Sequence, residues 1–94
     1  MELDTNNLIY RLHSACDAAI NALETKSVDV ACDLLMDAMF LATDLQAPGL
    51  RRKLQSIRFN ITHNSSHMSL DELKALFSHI TDARKAPIEK IRRL

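Results

Sequence analysis

Helix-breaking residues are almost absent from this chain. Its 94 residues include two prolines, Pro48 and Pro87, and one glycine, Gly49. A sheet of several strands needs more glycine-containing turns and more β-branched runs than this sequence supplies. With no tryptophan, one tyrosine and three phenylalanines, a core has to be built from aliphatic side chains and methionine. The sequence therefore predicts an all-α protein with short connections between helices, in a single domain over residues 1–94.

Apolar residues at spacings of three and four predict three helices before residue 63. Helix 1 is expected from about Asn6 to Glu24. Helix 2 is expected to be capped by Ser27 and to reach about Leu45. Pro48 suits the first turn of helix 3, because its missing N–H has no partner there in any case. The predicted core positions of helices 1 and 3 are Leu8, Leu12, Ala15, Ala19, Leu23, Leu50, Leu54, Ile57 and Ile61.

The C-terminal third has the clearest local signal for a helix start. Ser69-Leu70-Asp71-Glu72 matches a capping box, so helix 4 is expected to begin there, after a loop over 63–67. Its apolar stripe reaches Ala86, and Pro87 then predicts a kink or a break. The apolar residues beyond that proline allow a short fifth helix after Pro87 or a basic tail. Together these elements predict an up-down four-helix bundle.

The first residues and the cysteines bear on the compartment. The start, Met1-Glu2-Leu3-Asp4, is acidic and lacks the apolar segment of a secretion signal. No apolar run reaches the roughly 18 to 20 residues of a membrane-spanning helix. Cys16 and Cys32 are too few for the disulfide framework of a small secreted protein. We therefore expect a cytoplasmic protein with both thiols reduced and no contact with a membrane.

The two halves of the chain carry opposite charge although the total is zero. Residues 1–49 contain eight acidic and two basic residues, for a net charge of −6. Residues 50–94 contain ten basic and four acidic residues, for a net charge of +6. Two interpretations are open. The halves neutralise each other where helices 2 and 3 pack, or they face outward toward partners of opposite sign or a second copy.

Helix 2 has an unusual distribution of apolar residues. On a wheel of about 100° per residue, one narrow stripe holds Asp29, Asp33, Asp37 and Asp44. The expected core face holds Val30, Ala31, Leu34, Leu35, Ala38, Leu41, Ala42 and Leu45. Four apolar residues lie outside that face, namely Cys32, Met36, Met39 and Phe40. Either helix 2 contacts neighbours on two sides, or a partner covers part of its surface.

The second explanation makes the outer side of helix 2 a protein-binding surface. Methionine and phenylalanine are common at adaptable interfaces, and flanking aspartates keep such a surface soluble and selective. The candidate residues are Asp33, Met36, Asp37, Met39, Phe40 and Asp44. The aspartates would set the register against basic residues of a partner. In a homodimer these would be Arg51, Arg52 and Arg58 of the other copy.

Metal and catalytic motifs are not found in the sequence. Asp33 and Asp37 have a suitable i, i+4 spacing, but the Glu-x-x-His motif of di-metal bundles does not occur. His63-x-x-x-His67 lies in a predicted loop without a cysteine pair to complete a zinc site. A phosphate-binding loop needs more glycine than Gly49 alone. We therefore expect no cofactor, no metal and no enzymatic activity.

Nucleic-acid binding is the main alternative. Helix 3 contains Arg51, Arg52 and Arg58, and the turn before it suggests a helix-turn-helix. That motif requires an apolar residue where this chain has Arg52, and the chain as a whole is neutral rather than basic. The basic C-terminal residues that could assist are Lys90, Arg92 and Arg93. Nucleic acid is therefore a weaker prediction than protein.

A four-helix bundle also invites comparison with histidine phosphotransfer domains, which present one exposed histidine. His79 has alanines one turn away on either side, but the His-x-x-Lys-Gly arrangement of that class occurs at none of the four histidines. We keep this as a further alternative. The favoured prediction is a small cytoplasmic regulator or adaptor, of inhibitor, antiactivator or chaperone type, that binds protein through a helical surface and forms a homodimer.

Overall fold

The described part of the chain contains four α-helices of three turns or more. In a computed structural model, which describes residues 5–63, 66–83 and 92, they are α1 (Thr5–Glu24), α2 (Val28–Asp44), α3 (Pro48–His63) and α4 (Ser66–Ala83). The all-α prediction is confirmed. The predicted kink at Pro87 and the short fifth helix lie outside the described residues.

The helices pack as an up-down four-helix bundle, as the sequence predicts. Each helix contacts the next one along the chain, and α4 returns to contact α1. Within the described ranges, the diagonal pairs α1 with α3 and α2 with α4 make no contacts. Both α2 and α3 therefore contact two neighbouring helices, and the side of each helix that points away from these neighbours faces solvent. None of the described helices combines the length and the apolar composition that crossing a membrane requires.

The core lies between the apolar stripes of the four helices. The stripe predicted for α3 is confirmed, because all four of its members are buried: Leu50, Leu54, Ile57 and Ile61. In α1 the buried residues include Leu12, Cys16 and Ala19, each without exposed surface. In α4, over the side chains described from Leu70 to Thr81, they are Leu73, Leu76 and Ile80.

The core face of α2 differs from the prediction. Val30, expected in the core, is 53% exposed, whereas Cys32 and Met39 are buried. The reason is that α2 packs against both α1 and α3. The buried side of α2 is therefore rotated toward α3, compared with the core face predicted from the sequence. Contact with α3 therefore explains why Cys32 and Met39, two of the four apolar residues outside the predicted core face, are buried.

The start of α4 was also predicted wrongly. The helix begins at Ser66, three residues before the predicted cap at Ser69. A Ser-x-x-Glu pattern is compatible with a helix interior, and neither His67 nor Met68 prevents a helix from starting earlier. The predicted loop over 63–67 is correspondingly shorter.

The two other connections share one turn geometry. Lys26 and Gln46 adopt positive φ angles of 63° and 59°. The closing hydrogen bonds run from the Ser27 N–H to the Ala22 carbonyl (2.7 Å) and from the Ala47 N–H to the Ala42 carbonyl (2.9 Å). This is the Schellman pattern that ends a helix. Ser27 is also the N-cap of α2, as predicted, although its side chain makes no capping hydrogen bond.

Candidate protein-binding surface

The acidic stripe of α2 faces solvent. Asp29, Asp33, Asp37 and Asp44 are all exposed. The described part of the chain contains one ion pair with its charged atoms within 4.0 Å. It joins Nζ of Lys74 in α4 to Oε1 of Glu24 in α1, at 3.8 Å. No such pair joins the acidic residues of α2 to the basic residues of α3. The interpretation that the two halves neutralise each other there does not hold at contact distance.

Phe40 lies in the middle of this acidic face. Its side chain is 63% exposed, and Tyr10 of α1 is 58% exposed. Both line an open depression of about 450 Å³ between α1 and α2. The other lining residues are Arg11, Ser14, Ala15, Asp37, Leu41 and Asp44. Two large rings are thus presented to solvent beside carboxylates that form no ion pair with any residue the structure describes.

The methionines predicted for this surface occupy different environments. Met39 is 8% exposed and belongs to the core, so it is removed from the candidate surface. It is buried because α3 packs against that side of α2. Met36 is half-buried against the core, with part of its side chain still accessible.

The sequence prediction missed Tyr10. This residue lies on the polar side of α1, between exposed Asn7 and exposed Arg11 and Ser14. The signal was available, because it is the one that singled out Phe40: an aromatic residue on the side of a helix that should be polar. The partner helix that brings the two rings to one depression could not be identified from the sequence.

The outward face of α3 is basic. Arg51, Arg52 and Lys53 are exposed, and no acidic residue occurs over 48–63. Phe59 is 57% exposed, and its ring stacks on His63 with centroids 4.1 Å apart. The depression around this ring pair is lined by Arg52, Gln55, Ser56, Arg58, Phe59, Thr62 and His63.

Two of the predicted contact arginines also stabilise the fold. Arg58 is half-buried, and its Nε donates to the carbonyl of Cys32 (3.3 Å), which ties α3 to α2. Arg92 is exposed, and its Nε donates to the carbonyl of Leu45 (3.1 Å) at the C-cap of α2. The other predicted tail residues, Lys90 and Arg93, lie outside the described residues.

A third depression lies on the surface between α3 and α4. His79 is exposed and lines it together with Lys53, Ser56 and Glu72. Accessibility is what a phosphotransfer histidine needs, but it is shared by most surface histidines. Phosphotransfer through His79 therefore stays a prediction.

Neither thiol is presented for chemistry. Cys16 and Cys32 are both buried and unbridged. Burial raises the pKa of the Cys16 thiol to about 12, so the nucleophilic thiolate does not form in the folded protein near neutral pH. Among the residues that the structure describes, no three histidine, cysteine, aspartate or glutamate side chains cluster as metal ligands would.

No family model, curated protein or solved structure matches this chain.

Proposed function

We propose that this protein is a small non-enzymatic regulator or adaptor, acting in the cytoplasm, that binds protein through the outward face of α2. One observation carries the proposal. Phe40 and Tyr10, both more than half exposed, line a single depression bordered by the carboxylates of Asp37 and Asp44, which pair with no cation among the described residues.

Burial of these rings supplies the driving force for binding. An exposed phenylalanine on the solvent face of a helix adds nothing to the core of its own molecule. Covered by a partner, such a ring gives roughly 1.5 to 3 kcal/mol from the removal of apolar surface from water. Tyr10 can contribute in the same way while its hydroxyl keeps a polar environment.

The aspartates select the partner. Asp33, Asp37 and Asp44 are exposed around Phe40 and would attract lysine or arginine while repelling acidic surfaces. A partner segment is therefore expected to combine an apolar residue with basic neighbours, as an amphipathic basic helix does. The proposal includes self-association as a dimer, because α3 itself combines an exposed apolar residue, Phe59, with basic neighbours.

Capture from extracts of the native cell tests the proposal. We would compare wild type with Phe40→Ser, and use Val30→Ser as the matched control. Val30 is 53% exposed on the same helix but does not line the depression. The proposal expects specific partners to be lost with Phe40→Ser and retained with Val30→Ser, as measured by quantitative mass spectrometry. An identical set of captured proteins for all three baits would contradict it.

A second candidate function is binding of single-stranded nucleic acid to α3. The observation in its favour is the exposed Phe59 stacked on His63 beside Arg52, since a ring platform with cations is what base stacking uses. Against it, the carboxylates of α2 lie on the adjacent helix and would repel phosphates. Binding to random duplex DNA and to single-stranded RNA, measured against salt concentration, tests this function. It requires retardation at low salt that weakens with Phe59→Ala.

A further inference from the structure

We infer that the acidic face of α2 binds the basic face of α3 of a second copy, in a dimer whose two-fold axis runs parallel to the helices. This inference rests on the proposed function, because Phe40, Asp37 and Asp44 take part in both contacts.

The two faces have complementary charge. The α2 segment carries four aspartates and no lysine, arginine or histidine, whereas the side of α3 away from α4 exposes Arg51 and Arg52, and α3 has no acidic residue. Each face also has one exposed phenylalanine, Phe40 on α2 and Phe59 on α3. Because the aspartates of α2 form no ion pair with Arg51 or Arg52 inside the described chain, these exposed charges are available to a second molecule.

Two-fold symmetry allows this contact to form twice. The turn around Gln46 makes α2 and α3 antiparallel neighbours. A two-fold axis parallel to them places α2 of each copy on α3 of the other. A two-fold axis perpendicular to them, in the plane of the interface, would place α2 on α2 and bring eight carboxylates together. Charge therefore selects the parallel axis.

The same axis determines which residues meet. Phe40 and Arg52 each lie six residues from Gln46, so they are level along the helix pair. Asp33 and Phe59 are level in the same way, each thirteen residues from Gln46. The hydrogen bond from Arg58 to the carbonyl of Cys32 supports this register within one molecule.

Rotation about an axis parallel to the helices leaves every residue at the same height along that axis. Phe40 of one copy then faces Arg52 of the other, where the guanidinium can lie on the ring. Asp37 and Asp44, within about one helical turn on either side of Phe40, supply the carboxylates around that guanidinium.

A second copy suits these faces better than nucleic acid does. A strand along α3 would run beside the carboxylates of α2 in the same molecule, so its phosphates would be repelled. A second protein molecule meets the basic face with its own acidic face, and both sets of charges are satisfied. The observations therefore favour a protein contact.

Sedimentation equilibrium on the full chain tests the dimer, with charge reversal at the predicted contact. Arg52→Glu should raise the dissociation constant by roughly tenfold or more. Lys53→Glu is the matched control, since Lys53 faces α4 beside Glu72 and His79. The double variant Asp37→Lys/Asp44→Lys should raise the dissociation constant as well, because its α2 then repels α3.

Mixing the variants gives the sharpest result. Equimolar Arg52→Glu and Asp37→Lys/Asp44→Lys should form a heterodimer, because every acidic face then meets a basic one. Its dissociation constant should rise with salt, as expected for partly exposed ion pairs.

Three outcomes would overturn the inference: a monomeric wild type, a dimer unaffected by Arg52→Glu, or a mixture that stays monomeric. All of these variants change exposed side chains, and circular dichroism checks that each is folded. Failure of the dimer is distinguishable from failure to bind other proteins. Loss of captured partners with Phe40→Ser can still occur in a protein that is monomeric.

Discussion

Lys26 and Gln46 occupy equivalent positions in two successive turns, and both adopt the left-handed backbone conformation. Their φ angles are 63° and 59°. The left-handed region brings Cβ close to the following carbonyl oxygen, so a residue with a side chain is disfavoured there by roughly 1 to 2 kcal/mol. Most helices that end in this way use glycine, which has no Cβ. This protein has a single glycine and places it within α3 instead.

Glycine at either turn should therefore stabilise the fold. For Lys26→Gly and Gln46→Gly we expect the free energy of unfolding to rise by up to about 1 kcal/mol, because relief of the Cβ contact exceeds the added entropy of the unfolded chain. Urea denaturation measures this change. Gln55→Gly is the control, since glycine at an exposed position within a helix should lower stability by about 0.5 to 1 kcal/mol. Equal losses at all three positions would contradict the turn geometry.

The sequence predicts a helix well where periodicity and a strong boundary residue agree. In α3, Pro48 marks the start and the apolar residues recur on one face from Leu50 to Ile61, so both the boundary and the core positions were predicted correctly. In α4 the start rested on a short capping pattern alone, and it was placed three residues too late. A local pattern is compatible with several positions in a helix, whereas a repeated apolar face is not.

The candidate surface was only partly predictable, because exposure depends on which helices are neighbours. A wheel places both Met39 and Phe40 outside the expected core face of α2. Packing of α3 then buries Met39 and leaves Phe40 exposed. The joint presentation of Phe40 and Tyr10 likewise depends on the packing of α1 against α2. These are tertiary relationships that the periodicity of one helix does not contain.

Thr81 and His13 connect the last described helix to the first. The Thr81 hydroxyl donates to the Phe77 carbonyl (2.9 Å), so it accepts from the Nε2–H of His13 (3.1 Å). Both side chains are half-buried. Thr81→Val should lower the free energy of unfolding by about 1 to 2 kcal/mol, because it leaves the imidazole N–H without this acceptor.

The matched variant for this contact is Thr81→Ser, which keeps the hydroxyl and should retain most of the stability. Thermal denaturation separates the two variants. Nitrogen chemical shifts of the His13 ring give a second readout, since they report which nitrogen carries the proton. Equal stability of the valine and serine variants would contradict a role for the hydrogen bond.

Arg92 supports the end of α2 from a position distant in sequence. Its Nε donates to the carbonyl of Leu45, where the helix leaves carbonyls unpaired and the helix dipole is negative. Arg92→Gln should lower the free energy of unfolding by about 0.5 to 1 kcal/mol in urea denaturation. Lys53→Gln, at an exposed lysine of α3, is the matched control and should change stability by less than about 0.5 kcal/mol. A loss no larger than that of the control would argue against the cap.

Burial of Cys16 makes stability depend on alkaline pH. Its pKa rises from 9.0 to about 12 because the thiolate would lose its hydration in the core. Above pH 9.0 the thiol ionises in the unfolded chain but stays protonated in the folded one. Its contribution to stability is therefore complete below pH 9.0 and is lost progressively as the pH approaches 12.

The expected difference is measurable by comparison with Cys16→Ala. This variant should be less stable at pH 7, because the removed sulfur leaves a small cavity. Between pH 9.0 and about 10.5, however, wild type should lose about 1.5 kcal/mol more than the variant, since the two proteins share all their other ionisable groups. Urea denaturation across that range gives both curves. Parallel curves would mean that the thiol of Cys16 reaches solvent in the folded state.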